Sequence, residues 1–472
     1  MRPAFQPFLA SLALAFCGCG TPDPPRAAGD ALSVILVSLD TCRADRLSPF
    51  GAPGRNSPFL DRLARESVIF TDCLSQSSNT APSHRSLFTG QYVHRHGHDL
   101  DSFRRSPTSW AGMLGEAGWD TAAFTGGGFL ARGYGFEDGF ATFVDADDDR
   151  EAVSDRGLAT ILPQVRRWRE QRHGDPRPFF LFLHTFDIHC PYEPDDPWRS
   201  EFTAGYGGDL QLDGACGQED FRRILDRSRS EPPGSYRADI EHLGNTYDAG
   251  VAMTDAQLGG FLAELRADGT LDRSLLIVLS DHGESLGDRR PYIGHNRLWE
   301  EQLQVPLMIR FPDGAFAGAV CDEPTMLIDV LPAVLDRLGI DPPEGIQGES
   351  LLPLLDGSRS YQGRRLRVSQ FLSLFSFRYD DRWKVHGQVR EDGKGDILLY
   401  DLERDPLEQR GPPTDPAEAQ AQQARMQRLV KEYSAWRRSS AAADGRSQGP
   451  LILGGPGPSS AEDLRELGYA GY

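Results

Sequence analysis

The chain lacks a basic surplus. Its 472 residues carry 50 Lys and Arg against 69 Asp and Glu, a formal net charge of −19. That field repels nucleic acid, so an anionic substrate needs a local positive site, such as a metal ion or a His/Arg cluster. No internal stretch reaches the ~18 apolar residues of a membrane span. No internal repeat is present. Cysteine is sparse, seven in all, at spacings that match no zinc-site pattern. What is present is a globular balance of 39% hydrophobic and 25% charged residues, which excludes a disordered chain. Gly (50) and Pro (33) exceed average usage and announce many loops.

The N-terminus departs from this pattern. Arg2 precedes an apolar run from Phe8 to Phe16, then Cys17-Gly18-Cys19-Gly20. This reads as a secretory signal. Gly18 before Cys19 resembles the cleavage site of bacterial lipoproteins. The expectation is therefore a signal peptide over 1–18, a lipidated Cys19 and a flexible tether over 19–31. The mature chain would be anchored to a membrane and face the periplasm or the cell surface. An ordinary cleaved signal with an incidental cysteine is the alternative. Five cysteines then remain, and in an exported protein Cys42–Cys73 and Cys190–Cys216 are candidate bridges.

From Leu32 the chain alternates strand and helix patterns. Ser33–Leu39 is a near-continuous apolar run, as in a strand buried on both faces of a parallel sheet. Further strand-like runs fall at Val68–Phe70, Ala122–Phe124, Phe179–Leu183, Leu275–Leu279 and Val305–Ile309. Helical patterns follow Ser57-Pro58 and cover Ser109–Glu116, Leu158–Gln171, Leu243–Leu265 and Leu327–Leu338. The alternation predicts an α/β fold, a large, mostly parallel central sheet flanked by helices. Tyr192–Ala238, rich in Gly, Pro and Asp, reads as an excursion over one end of the sheet. The expected division is a catalytic α/β domain over 32–345 and a smaller C-terminal α+β subdomain over 346–438. Residues 439–472 read as a flexible tail with a short terminal helix.

Ligands of open α/β sheets bind at the carboxyl ends of strands. Asp40 follows the first strand, His184-Thr-Phe-Asp187-Ile-His189 closes another, and Ser280-Asp281-His282-Gly283-Glu284 follows a third. Asn79-Thr80-Ala-Pro82-Ser83-His84 opens a helix that stops at Gly90. Singly, Asp40 reads as a helix cap and Thr80 as an N-cap. Adjacent Asp281 and His282 are a natural pair of metal ligands.

Together and in order, these segments resemble the sulfatase family of the alkaline-phosphatase superfamily. The likeness extends through Val-Ser-Leu-Asp40-Thr-Cys-Arg43-Ala-Asp45, Thr80-Ala-Pro82-Ser83-His84, Leu87-Phe-Thr89-Gly90, His184 to His189, Ser280 to Glu284, Val305 to Arg310 and Leu399 to Pro406. It implies one divalent metal (Ca, Mn or Zn) held by Asp40, Asp281 and His282, with the Thr80 hydroxyl completing the site. His189 and His295 would bind the anion or protonate the leaving group. His84 would orient Thr80 or contact the ester, and Arg43 would bind substrate. His184 and Asp187 would stand behind the ligands or serve only the fold.

One departure matters. The family carries C-x-P-S-R or S-x-P-S-R at the nucleophile, whose Cys or Ser becomes formylglycine; here those positions hold Thr80 and His84. Arg85 is out of register. Formylglycine releases sulfate by re-forming its aldehyde, an exit that threonine lacks, whereas a phosphothreonine can be resolved by a second attack on phosphorus. Thr80 therefore favours phosphoester or phosphonate hydrolysis. A sulfuric ester hydrolase, and a lipoprotein that binds anionic glycans without turnover, are the alternatives.

Overall fold

The computed structural model describes residues 31–442, apart from 55, 98–108, 147–156, 213–218, 233, 290–291, 359–365, 390–394, 411–412 and 414. Strands β1 (Ser33–Leu39), β2 (Val68–Leu74), β3 (Asp120–Thr125), β4 (Thr142–Asp145), β5 (Phe179–Thr185) and β6 (Ser274–Leu279) follow in chain order. β7 (Ser285–Leu286) and β8 (Ile293–Gly294) form a separate two-stranded ribbon. β9 (Gln304–Arg310), β10 (Val320–Cys321) and β11 (Thr325–Met326) return to the main sheet. Its order is β10-β2-β9-β6-β1-β5-β3-β4, with β11 also on β2. Every pairing in it is parallel except the two made by β9.

The apolar run in β1 is buried on both faces, as its composition requires. Val34 and Leu36 join one core, and Ile35, Val37 and Leu39 join the other. A one-residue slip would exchange the two sets, so register is fixed by packing. The long helix Arg237–Ala267 covers one face through Leu243, Tyr247, Val251, Leu258 and Leu262. Helices Thr80–Thr89, Trp110–Glu116 and Val330–Leu338 cover the other.

The helix after Ser57 begins at Pro58, but Ser57 does not cap it. The Asp255 carboxylate of the long helix accepts from Phe59 and Leu60 amides at 2.8 Å each. β2 runs to Leu74, beyond the apolar stretch, through a register shift between Phe70 and Cys73. The excursion holds two helices, Trp198–Thr203 and Glu219–Ser230; the second is polar around most of its surface and buries only Phe221 and Ile224. The C-terminal subdomain is an antiparallel sheet in chain order, β12 (Leu366–Phe371), β13 (Leu374–Tyr379), β14 (Trp383–Val389) and β15 (Gly395–Asp401). The helix Pro416–Ala442 packs on it through Leu429 and Tyr433. That helix passes the boundary expected at 438/439, and Ser440 accepts from Gln347 at 2.6 Å. Residues 1–30, with the expected signal and Cys19, and 443–472 lie outside the described residues.

The Cys42–Cys73 bridge is not formed; both are buried free thiols. Cys42 follows β1 and Cys73 lies on β2, three places away in the sheet. At ~4.8 Å per strand that separation is far beyond the reach of a disulfide. Cys190 is disulfide-bonded. Its expected partner, Cys216, lies outside the described residues.

Candidate active site

The site forms where the three central neighbours β6, β1 and β5 end at their carboxyl edge. The Asp40 amide donates to the Thr185 carbonyl at 3.1 Å, extending the β1–β5 ladder by one bond and fixing Asp40. Thr41 then takes φ 58°, a left-handed turn uncommon for a β-branched residue, which swings the chain away behind the carboxylate. Thr41 cannot relax outward, because the Tyr247 hydroxyl donates to its carbonyl at 2.8 Å.

Thr80 is the first residue of its helix, and Asn79 holds the capping position without a side-chain cap. The Thr80 hydroxyl is thereby released from the capping role the sequence suggested. It donates to Asp40 Oδ2 at 3.1 Å and lies 3.4 Å from His282 Nε2. Ser83, one turn on, donates to the Asp281 carbonyl at 2.7 Å and ties this helix to the loop after β6. Ser280 Oγ donates to the His282 carbonyl at 2.6 Å and accepts from the Cys42 amide at 2.9 Å, locking the two strand-end loops together. A Cβ at Gly283 would stand 2.2 Å from the Glu301 carbonyl oxygen, so only glycine fits after His282.

Asp40, Asp281 and His282 present ligand atoms within 4.8 Å of one another, all three fully buried. The His282 Nδ1 lies 3.0 Å from the Gly283 carbonyl, which can only accept. Nδ1 therefore carries a proton, and Nε2 turns towards Thr80 Oγ and the two carboxylates. Asp40 Oδ1 and both oxygens of Asp281 are buried without a hydrogen bond. Carboxylate oxygens are thus buried together without donors, an arrangement that costs several kcal/mol unless a cation offsets it. Two carboxylates, an oriented imidazole and a hydroxyl fit a divalent ion. Burial, then the Asp40 charge, pushes the Asp281 carboxyl above its ordinary range. Burial pulls His282 down, but Asp281 and Asp40 outweigh it and hold the ring above its usual value.

The remaining residues expected at the site divide. His184, on β5, places Nε2 2.8 Å from Asp40 Oδ2 and supports that ligand directly. Burial pulls its ring down to about 4. His189 and His295 gather beside His282: the His295 ring centroid is 4.7 Å from that of His282 and 5.3 Å from that of His189. His189 turns Nδ1 to the Cys190 carbonyl and keeps Nε2 buried without a hydrogen bond. Burial first, then neighbouring His282, pulls His295 down to about 3. Asp187 caps the helix Leu158–Gln171 by accepting from the Leu158 amide at 2.9 Å, a structural task.

His84 stands against Thr80, as the first of its two expected roles requires. Its Nδ1 donates to the Thr80 carbonyl at 2.9 Å and its Nε2 meets Ser38 Oγ at 2.9 Å, so it supports the Thr80 backbone from below. Burial pulls it down to about 4. Arg43 is not an open anion-binding group. Its guanidinium grips both Asp45 oxygens at 2.9 Å, Asp288 at 3.0 Å and the Glu284 carbonyl at 3.3 Å. That fork is saturated at 1% exposure. Arg85 lies over the Phe136 ring, 4.5 Å from its centroid, away from Thr80. The positive potential an anion needs is therefore left to a cation and the amides of the Thr80 helix.

The fold and this site define a hydrolase with a metal-type cluster at the strand ends of a mostly parallel sheet. Comparison with known proteins extends this. The sulfatase family model matches residues 33–340, and the model described as N-sulphoglucosamine sulphohydrolase, C-terminal, matches 291–435. The chain belongs to the sulfatase family, a family of ester hydrolases. It is 22% identical over 481 residues to an N-acetylglucosamine-6-O-sulfatase of Bacteroides thetaiotaomicron, covering 85% of each chain. The phosphonate monoester hydrolase of Agrobacterium radiobacter superposes with a TM-score of 0.67 at 21% identity, covering 86% of this chain and 96% of that one. A structure solved in complex with D-glucosamine-2-N,6-O-disulfate gives 0.70 at 18% identity, covering 88% and 100%.

Proposed function

We propose that this sulfatase-family hydrolase cleaves phosphoesters or phosphonate esters with Thr80 as nucleophile. The observation that carries the reading is the Thr80 hydroxyl, 3.1 Å from Asp40 and 3.4 Å from His282, where the family places its converted Cys or Ser. Asp40, Asp281, His282 and Thr80 Oγ would hold one divalent ion, Ca, Mn or Zn. When bound, that ion lowers the threonine pKa and polarises a non-bridging ester oxygen. Thr80 Oγ gives its proton to His295 or His189 as it bonds to phosphorus, and the leaving oxygen departs with that proton. Water then attacks the phosphothreonine through the same ring, the Oγ–P bond breaks, and the water's proton returns to Thr80 Oγ. Amides of the first turn of Thr80–Thr89 and the positive end of its dipole face the developing charge.

The second reading is a sulfuric ester hydrolase, favoured by the printed activities of the sulfatase relatives and by the glucosamine disulfate in one neighbour. On either reading the substrate is a small-molecule, glycan or lipid anionic ester. The chain is further proposed to be an exported lipoprotein anchored through Cys19. Paired 4-nitrophenyl sulfate, phosphate, phosphodiester and phosphonate esters, given to metal-reconstituted protein, separate the two chemistries. Phosphorus-ester turnover exceeding sulfate turnover supports the first, and the reverse order refutes it.

A further inference from the structure

The ribbon of β7 and β8 is short, yet it has a consequence for the site. Its register pairs Ser285 with Gly294 and Leu286 with Ile293. Continued by one step, the same register sets Glu284 opposite His295. The side chains meet there: His295 Nδ1 lies 3.0 Å from Glu284 Oε1. The other carboxylate oxygen accepts from the Tyr192 hydroxyl at 2.5 Å. All three residues are buried, at 2%, 1% and 3% exposure for Tyr192, Glu284 and His295.

The arrangement is held from several sides. Gln302 donates to Ser285 Oγ at 2.8 Å and to the Gly294 carbonyl at 3.0 Å, clamping the two ribbon strands together. Arg43 Nη1 donates to the Glu284 carbonyl. This is where the saturated Arg43 acts: it anchors the backbone of Glu284. Tyr192, the first residue of the excursion, keeps its phenolic proton, because burial and Glu284 push it well above its ordinary range. It is therefore a fixed donor into Oε2, which aims Oε1 at His295.

We infer that Glu284, itself aimed by Tyr192, positions His295 for proton transfer at the ester. The 3.0 Å contact fixes the ring through Nδ1 and leaves Nε2, buried without a hydrogen bond, as the nitrogen presented to the reacting atoms. Neither Glu284 nor Tyr192 touches the substrate; both act through the ring. The inference deepens the hydrolase reading above and rests on His295 lining that site.

The test uses the full chain, metal-loaded, and a series of aryl esters of the class the wild type turns over, with leaving groups of rising pKa. Loss of a proton donor harms poor leaving groups more than 4-nitrophenol, whereas a structural defect lowers all of them alike. His295→Ala is expected to steepen the dependence of kcat/KM on leaving-group pKa. Glu284→Gln is expected to steepen it too, with a loss of about 10–100-fold on the poorest leaving group and less on 4-nitrophenol. Tyr192→Phe should act in the same direction, more weakly, and Glu284→Asp should restore part of the loss. Metal content, read by elemental analysis, should stay at the wild-type level throughout. If Glu284→Gln and Tyr192→Phe lower every ester by one common factor, or by none, while His295→Ala steepens the dependence, the inference is overturned and the hydrolase reading stands. If His295→Ala leaves the slope unchanged, the role of His295 in proton transfer falls, and the inference with it. Should Glu284→Gln not fold, Tyr192→Phe decides alone by the same slope.

Discussion

The hydroxyl of Thr80 and the carboxylate of Asp40 meet at 3.1 Å, although one opens a helix on a face of the sheet and the other ends its central strand. The same Asp40 oxygen is held by His184 at 2.8 Å from the neighbouring strand. The contact is therefore built by three elements, each anchored by its own hydrogen bonds. Its other side is His282 and Asp281, whose two carboxylate oxygens are buried without a hydrogen bond.

That imbalance gives a prediction about stability. Asp281→Asn should raise the melting temperature of metal-free protein, because it removes a buried charge with no hydrogen-bond partner. The same variant should abolish the rise in melting temperature that added metal gives the wild type. Calorimetry with and without Mn²⁺, Zn²⁺ or Ca²⁺ checks both halves. A metal-free variant less stable than wild type would contradict the account.

Arg43 should behave as a structural residue. Arg43→Lys keeps the charge but loses the fork that holds Asp45, Asp288 and the Glu284 carbonyl together. The expected outcome is a loss of about 2 kcal/mol in denaturant unfolding, with KM unchanged in the folded fraction. A raised KM at wild-type stability would return Arg43 to substrate binding.

Acid should loosen the C-terminal helix. His94 packs against Trp436, and burial followed by the Arg437 charge pulls its ring down to about 4. The folded state thus resists a proton that the unfolded chain accepts near its ordinary value of 6.5. The unfolded state binds more protons between pH 6.5 and 4, so stability falls as pH drops through that window. His94→Gln should flatten part of that slope. Hydrogen exchange in Pro416–Ala442 or denaturant unfolding across the window reads it, and an unchanged slope would contradict the assignment.

The central sheet was legible because β1, β5 and β6 are buried on both faces and so read as continuous apolar runs. The ligands were legible because the sheet brings together the ends of those same strands. The setting of Arg43 was legible only in part: Asp45 stands two residues on, but its other partner Asp288 lies 245 residues away. Tyr192 and Glu284 carried no signal for a related reason: their meeting depends on the register of a two-residue ribbon. The helix Glu219–Ser230 was hidden by its polar surface. β4 was hidden by its shortness, four residues of which two are buried.

The most direct measurement is an acid quench during turnover of a phosphonate or phosphodiester ester, followed by peptide mass analysis. The account predicts a phosphoryl or phosphonyl adduct on Thr80. It also predicts Thr80→Ser with partial turnover and Thr80→Ala lowered by about 10³-fold or more with metal still bound. An unmodified Thr80 together with efficient sulfate-ester hydrolysis by the wild type would contradict it.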